Sequence, residues 1–195
     1  MPSKTLTLFL ALFLFATTPT RAAVVINEIF YHAPEDLDEL QWIELHNTAD
    51  QPVDLAGWSI KELAYTFPKA TPIAPNGYLV LAHDPKSFAR HYTTVTALGP
   101  TAKSLSRSGS RLELLDAAGH RADLARYKDH APWPAAADGY SASLERICPT
   151  SSGEAPENWA ASWRTFMGGL QKVPNDRGEG VPRLGSPHHP CARSR

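Results

Sequence analysis

Apolar residues recur at every second position in short runs from Val24 onward, and turn residues separate the runs. That period admits extended strands with one face buried and leaves little room for helices. "QWIELHN" (residues 41–47) is the clearest case: Ile43 and Leu45 alternate with Trp42, Glu44 and His46. "AVVINEIFYH" (23–32) is rich in β-branched and aromatic residues and reads as a second strand. "TADQPVDLAGWSIKE" supplies a turn at Pro52, a short piece at Val53 and Leu55, a reversal at Gly57, then Trp58 and Ile60 on one face. Asn76-Gly77 turns the chain into a run over 78–82, and "SRLELLDAAGHRADLARYK" reads as a hairpin about residues 116–119. Only "DPKSFARHY" carries helix signals, with Asp84 as N-cap and Pro85 in the first turn. Six to eight short strands at regular spacing predict an all-β fold, a β-sandwich, with Trp42, Trp58, Ile43, Leu45, Leu112 and Leu114 in its core.

The first 22 residues stand apart. "MPSKTLTLFLALFLFATTPTRA" places Lys4 before an apolar run over 6–16 and ends on small residues, the pattern of a cleaved secretory signal peptide, with cleavage expected after Ala22. The run is shorter than the roughly 20 residues a spanning helix needs. A secreted, periplasmic or cell-surface protein with no transmembrane segment in its mature form is therefore expected, and no lipobox cysteine follows the leader. Removing Lys4 and Arg21 leaves 17 basic against 20 acidic residues, a net charge of −3 with histidines neutral. Bulk electrostatic capture of nucleic acid is not expected of such a chain, although Arg107, Arg111, Arg121 and Arg126 keep weak, salt-sensitive binding open.

Residues 23–148 read as the sandwich domain and 149–195 as a strap or tail, because the last stretch holds six prolines and six glycines with little periodicity. Trp159, Trp163 and Phe166 argue that the strap packs on the domain. The two cysteines, Cys148 and Cys191, are expected to pair in an oxidising compartment. Such a loop closure contributes roughly 3–4 kcal/mol by the chain-entropy relation.

Taken together and in order, "VINEIFYHAPEDLDELQWIELHNTADQPVDLAGWSI", "FPKATPIAPNGYLVLAHD", "SGSRLELLDAAGHRAD", "APWPAAADGYSASLERI" and "ENWAAS" resemble the bacterial lamin tail domain (LTD) family over residues 25–162. The resemblance implies an immunoglobulin-like β-sandwich, shared with the tails of nuclear lamins, that binds or anchors and does not catalyse. It implies no cofactor and a protein or envelope/matrix partner. The ending "RLGSPHHP" departs from the Thr-Pro-Gly-x-x-Asn close of many relatives.

Several side chains carry a second reading. Glu44 and His46 share one strand face, about 7 Å apart at 3.3 Å per residue. With Glu28 and His32 from a neighbouring strand they could hold zinc and support a metal-dependent hydrolase on the Glu28/Glu44/His46 face; the alternative is that they tie loops and backbone together. Glu35, Asp36, Asp38 and Glu39 could gather around calcium or form a solvated turn. His188 and His189 precede Cys191 and could grip a soft metal, or belong to a surface tail. Trp133 lies between prolines and is expected to be partly exposed, as an aromatic contact for a glycan. No nucleophile-elbow, zincin, C-x-x-C or P-loop motif is present, so no catalytic residue is assigned.

Overall fold

Alternation becomes strand pairing in a computed structural model of the chain, which describes residues 23–162. In chain order the elements are β1 (Val24–Phe30), β2 (Trp42–Asn47), β3 (Val53–Asp54), β4 (Ser59–Ile60), β5 (Tyr65–Thr66), β6 (Pro72–Ile73), β7 (Tyr78–Ala82), α1 (Pro85–His91), β8 (Ala97–Leu98), β9 (Gly109–Leu115), β10 (Arg121–Lys128), β11 (Leu144–Arg146) and β12 (Trp159–Ala161). A six-stranded sheet runs β12-β11-β1-β2-β7-β8, a four-stranded sheet runs β10-β9-β4-β5, and β3 pairs with β6. All pairs are antiparallel except β7 with β8. The strands outnumber those read from the sequence because five of them are two-residue pieces, too short to display a period.

Ile26, Ile29, Ile43 and Leu45 of the larger sheet share one core cluster with Ile60, Leu112, Leu114 and Ala125 of the smaller. Tyr31 and Tyr127 meet in that core with ring centroids 4.6 Å apart. Trp58 packs on this core partly buried. Trp42 faces the other way, into a second cluster with Phe30, Leu40, Val80, Ala82 and Phe88. Phe88 belongs to α1, whose start Asp84 caps by accepting the Lys86 N–H at 2.8 Å. The larger sheet is thus covered on both faces around β2, where all six residues are buried.

Two buried amides bracket β2. Gln41 donates to the Tyr31 and Leu105 carbonyls (2.7 and 3.0 Å) and accepts the Leu105 N–H at 2.6 Å. Asn47 donates to the Ile73 and Ala74 carbonyls (both 3.1 Å) and accepts the Ala49 N–H at 3.0 Å. Each side chain saturates backbone that the strand ladder leaves unpaired, as buried polar groups must. Much of the polar character of this stretch is therefore scaffolding.

Trp133 corrects an expectation: it is 7 % exposed and belongs to the main core cluster. Its backbone N–H donates to the His130 carbonyl at 3.2 Å, and this turn delivers the indole inward, into the core cluster that also holds Tyr127 and Ala137. The area an indole removes from water outweighs the tendency of a proline-flanked segment to stay outside. The exposed aromatic of this region is Tyr140, at 75 %.

The sandwich continues past Cys148, since β12 pairs with β11 and Gly153 forms a parallel bridge with Ala125 of β10. The Arg126 N–H donates to the Gly153 carbonyl at 2.9 Å. A Cβ on Gly153 would lie 2.3 Å from the Leu124 carbonyl oxygen, a backbone atom with little freedom to retreat. Gly153→Ala is accordingly expected to cost about 1–3 kcal/mol as overpacking. At roughly 2–4 °C per kcal/mol the melting temperature should fall measurably, and an unchanged thermal transition would refute the contact. Residues 1–22, Trp163, Phe166, His188, His189 and Cys191, the far end of the expected disulfide, lie outside the described residues. Among the described residues no helix is long and apolar enough to cross a membrane.

Candidate functional site

Strand register sets three carboxylates side by side. Glu28 on β1 pairs with Glu44 on β2 on one side and with Glu145 on β11 on the other. They share the face opposite Ile29, Ile43 and Leu144, which belong to the main core. The row is sealed, at 0 % exposure for Glu28, 2 % for Glu44 and 7 % for Glu145. A bulge in β1 between Ile26 and Glu28 brings Asn27 within reach of the row, and its Nδ2 donates to Glu44 Oε1 at 3.0 Å. Ser143 donates to Glu28 Oε1, while Glu28 Oε2 is buried without a hydrogen-bond partner.

Three neighbouring carboxylates cannot all ionise out of water. Burial, then the charges of Glu44 and Glu145, push the Glu28 carboxyl well above its ordinary value against the opposing Ser143 hydrogen bond. Burial, with a contribution from Glu145, pushes Glu44 up to about 8 although the Asn27 bond pulls it down. At neutral pH the row therefore holds protons.

The metal quartet drawn from the sequence does not assemble. Glu28 and Glu44 adjoin, but His46 pairs in register with Val25 and stacks on Tyr78, ring centroids 4.3 Å apart. His32 lies past the end of β1, its Nδ1 2.6 Å from Asp138 Oδ1 and its Nε2 2.8 Å from Asp36 Oδ1. Alternation assigned these side chains to a face without assigning them to a row, and four residues of strand separate neighbours by about 13 Å. Among the described residues no group of three or more His, Cys, Asp or Glu is placed to hold a metal ion. Glu145, the third member of the row, was not singled out from the sequence; its alternation with the core residue Leu144 in "SLERI" is the only signal for it.

The acidic loop is engaged by the protein's own cations. Arg107 contacts Asp36 Oδ2 and Asp38 Oδ1, each at 3.0 Å, and His32 takes Asp36 from the other side. Burial pulls the His32 imidazole down, but hydrogen bonds to Asp138 and Asp36, with their charges, outweigh it and hold the group above its ordinary value.

At the far end of β1 a buried ion pair joins the sheets. Asp123 Oδ2 on β10 accepts from Arg146 Nη1 of β11 and from the Ile26 N–H of β1, both at 2.8 Å. The two charged side chains are 3 % and 9 % exposed. Arg146 also donates to the Ile26 and Ser151 carbonyls.

Two facing sheets around a shared core, with a second small core under α1, define an immunoglobulin-like β-sandwich module. The sequence matches the Lamin Tail Domain family over residues 17–129, more than half of the chain, and the protein belongs to that family. No curated protein matches it. The match ends just after β10, whereas the larger sheet takes two further strands, β11 and β12, from beyond it.

Proposed function

We propose that this chain is an exported, non-catalytic lamin tail domain that binds or anchors to a partner in the cell envelope or extracellular matrix. Export is supported by the leader-like residues 1–22, and an oxidised Cys148–Cys191 pair suits the compartment it would enter. The observation that carries binding over hydrolysis is the closure of the Glu145–Glu28–Glu44 row. A general acid or base must come within hydrogen-bond reach of a substrate, and these carboxyls are sealed from solvent. Surfaces that remain for a partner are the loops and the sheet edges, and the β10 edge already takes up an extended segment at Gly153.

The test is affinity capture on the full chain, purified without reductant, from envelope and culture fractions, with metal content measured on the same untagged preparation. A reproducible partner, metal well below one equivalent and an intact mass starting at Ala23 less two hydrogens are the expected results. Substrate turnover, or one equivalent of metal lost in Glu44→Ala, would establish the hydrolase instead.

A further inference from the structure

We infer that a cavity between β10 and the connection from β11 to β12 binds a neutral, hydroxyl-rich ligand, a single sugar ring of a glycan. The inference rests on the binding-module reading and names the chemistry of its partner. The cavity has a volume of about 310 Å³ and is lined by Val25, Asp123, Arg146 and residues 149–154, among others. That volume is at the lower end of the range of small-ligand sites.

Its charges cancel. Arg146 and Arg121 contribute two cations, Asp123 and Glu154 two carboxylates, so neither a free anion nor a cation gains from entering. An anion approaching Arg146 would also meet Asp123, which already occupies that guanidinium at 2.8 Å. Arg146 is itself committed, since its guanidinium holds Asp123 and the Ile26 and Ser151 carbonyls and the side chain is 3 % exposed; the cation a ligand can reach is Arg121, at 53 %.

Hydroxyl chemistry continues up the wall. Residues 150–152 are Thr, Ser and Ser. The Ser152 oxygen accepts the Glu154 N–H at 3.2 Å and the Ser151 hydroxyl donates to the Cys148 carbonyl at 2.7 Å, so the wall is held in place while oxygen lone pairs stay open to a ligand O–H. At the rim, Arg121 lies 3.8 Å from Glu113 and Glu154 lies 3.5 Å from Arg111, pairs long enough for either partner to turn toward a ligand. Of the apolar lining residues Val25 and Leu124 are buried, and Ala122 is a partly exposed one that the C–H face of a sugar ring can reach. Gly153, pressed onto β10, fixes this wall before any ligand arrives, which lowers the cost of ordering it.

The test titrates the full chain, disulfide intact, with the methyl glycosides of glucose, galactose, mannose and N-acetylglucosamine and follows backbone amide resonances. Saturable shifts at about millimolar affinity, confined to residues 121–125 and 146–154, are expected for at least one glycoside. Arg121→Ala and Ser152→Ala should each weaken that binding about tenfold with a native thermal transition, while Tyr140→Ala, on the loop beside His32 at the other end of β1, should leave it unchanged. The absence of saturable shifts with every glycoside, or binding of acetate or glycylglycine in their place, would overturn the inference. If the glycosides fail while an envelope partner is still captured, the sugar site falls and the binding-module reading stands; if both fail, both fall.

Discussion

Urea denaturation of the purified chain should give its greatest stability near pH 5, with a decline through pH 6, 7 and 8. The expectation follows from the direction in which the buried row is shifted. Glu28 and Glu44 both hold protons more tightly in the folded protein than at the ordinary carboxyl value of 4.5. Their contribution is fully present below that value and is lost as the pH rises toward the folded value, which for Glu44 is about 8. Each proton retained only by the folded state gives a slope of about 1.4 kcal/mol per pH unit, a large effect for a domain of this size.

His32 adds to the same slope at its upper end, since its folded value is raised and its contribution fades as the pH passes above it. On the acid side the limit comes from carboxylates shifted downward. Asp36 is lowered first by its hydrogen bond to His32, and Asp84 first by the Lys86 N–H, so their contributions are lost as they protonate. The decisive variant is Glu44→Gln. Its amide stays neutral at every pH, so the decline between pH 5 and 8 should flatten and the variant should exceed the wild type in stability at pH 8. A flat wild-type profile, or an unaltered slope in Glu44→Gln, would show that the row does not store the protons assigned to it.

This row also marks where sequence stops informing structure. Alternation in "QWIELHN" correctly set Ile43 and Leu45 against Trp42, Glu44 and His46, because a period of two is a property of the strand alone. The hairpin at 116–119 and the Asp84 cap were legible for the same local reason: the Gly119 N–H closes on the Asp116 carbonyl at 2.9 Å, and Asp84 takes the Lys86 N–H. Register is different. Glu145 meets Glu28 only through pairing across most of the chain, and no local pattern records which residue of one strand lies beside which of another.

His32 illustrates the same loss from the other direction, on a face compatible with Glu28 yet bound in a separate cluster with Asp36 and Asp138. Two flanking prolines are a local signal for an exposed Trp133, whereas the space it fills in the main core exists only once the sandwich has closed. Gln41 and Asn47 stand at the two ends of "QWIELHN" with no local pattern to mark them, and their saturation of distant carbonyls appears only in three dimensions.

Replacing Asp123 by Ala is expected to destabilise the protein by about 3–5 kcal/mol, because the change strands a buried guanidinium. The argument extends beyond the pair. Asp123 Oδ2 serves both Arg146 and the Ile26 N–H, so its loss leaves two donors without their acceptor where β10 of one sheet meets β1 and β11 of the other. Arg146→Met should cost less, since Asp123 keeps the Ile26 N–H as a partner. The combined Asp123→Leu and Arg146→Met variant should recover much of the single loss, because neutral side chains need no counter-ion in that space. Urea denaturation at pH 7 of the two single variants and the double yields the coupling directly. A loss below about 1 kcal/mol for Asp123→Ala would mean that water reaches the pair and solvates it, as at a surface ion pair. With the full loss, the clasp is a main tie between β10 and the β1–β11 pair at this end of the sandwich. The same two side chains line the cavity, so the variants that break the clasp also remove part of its wall.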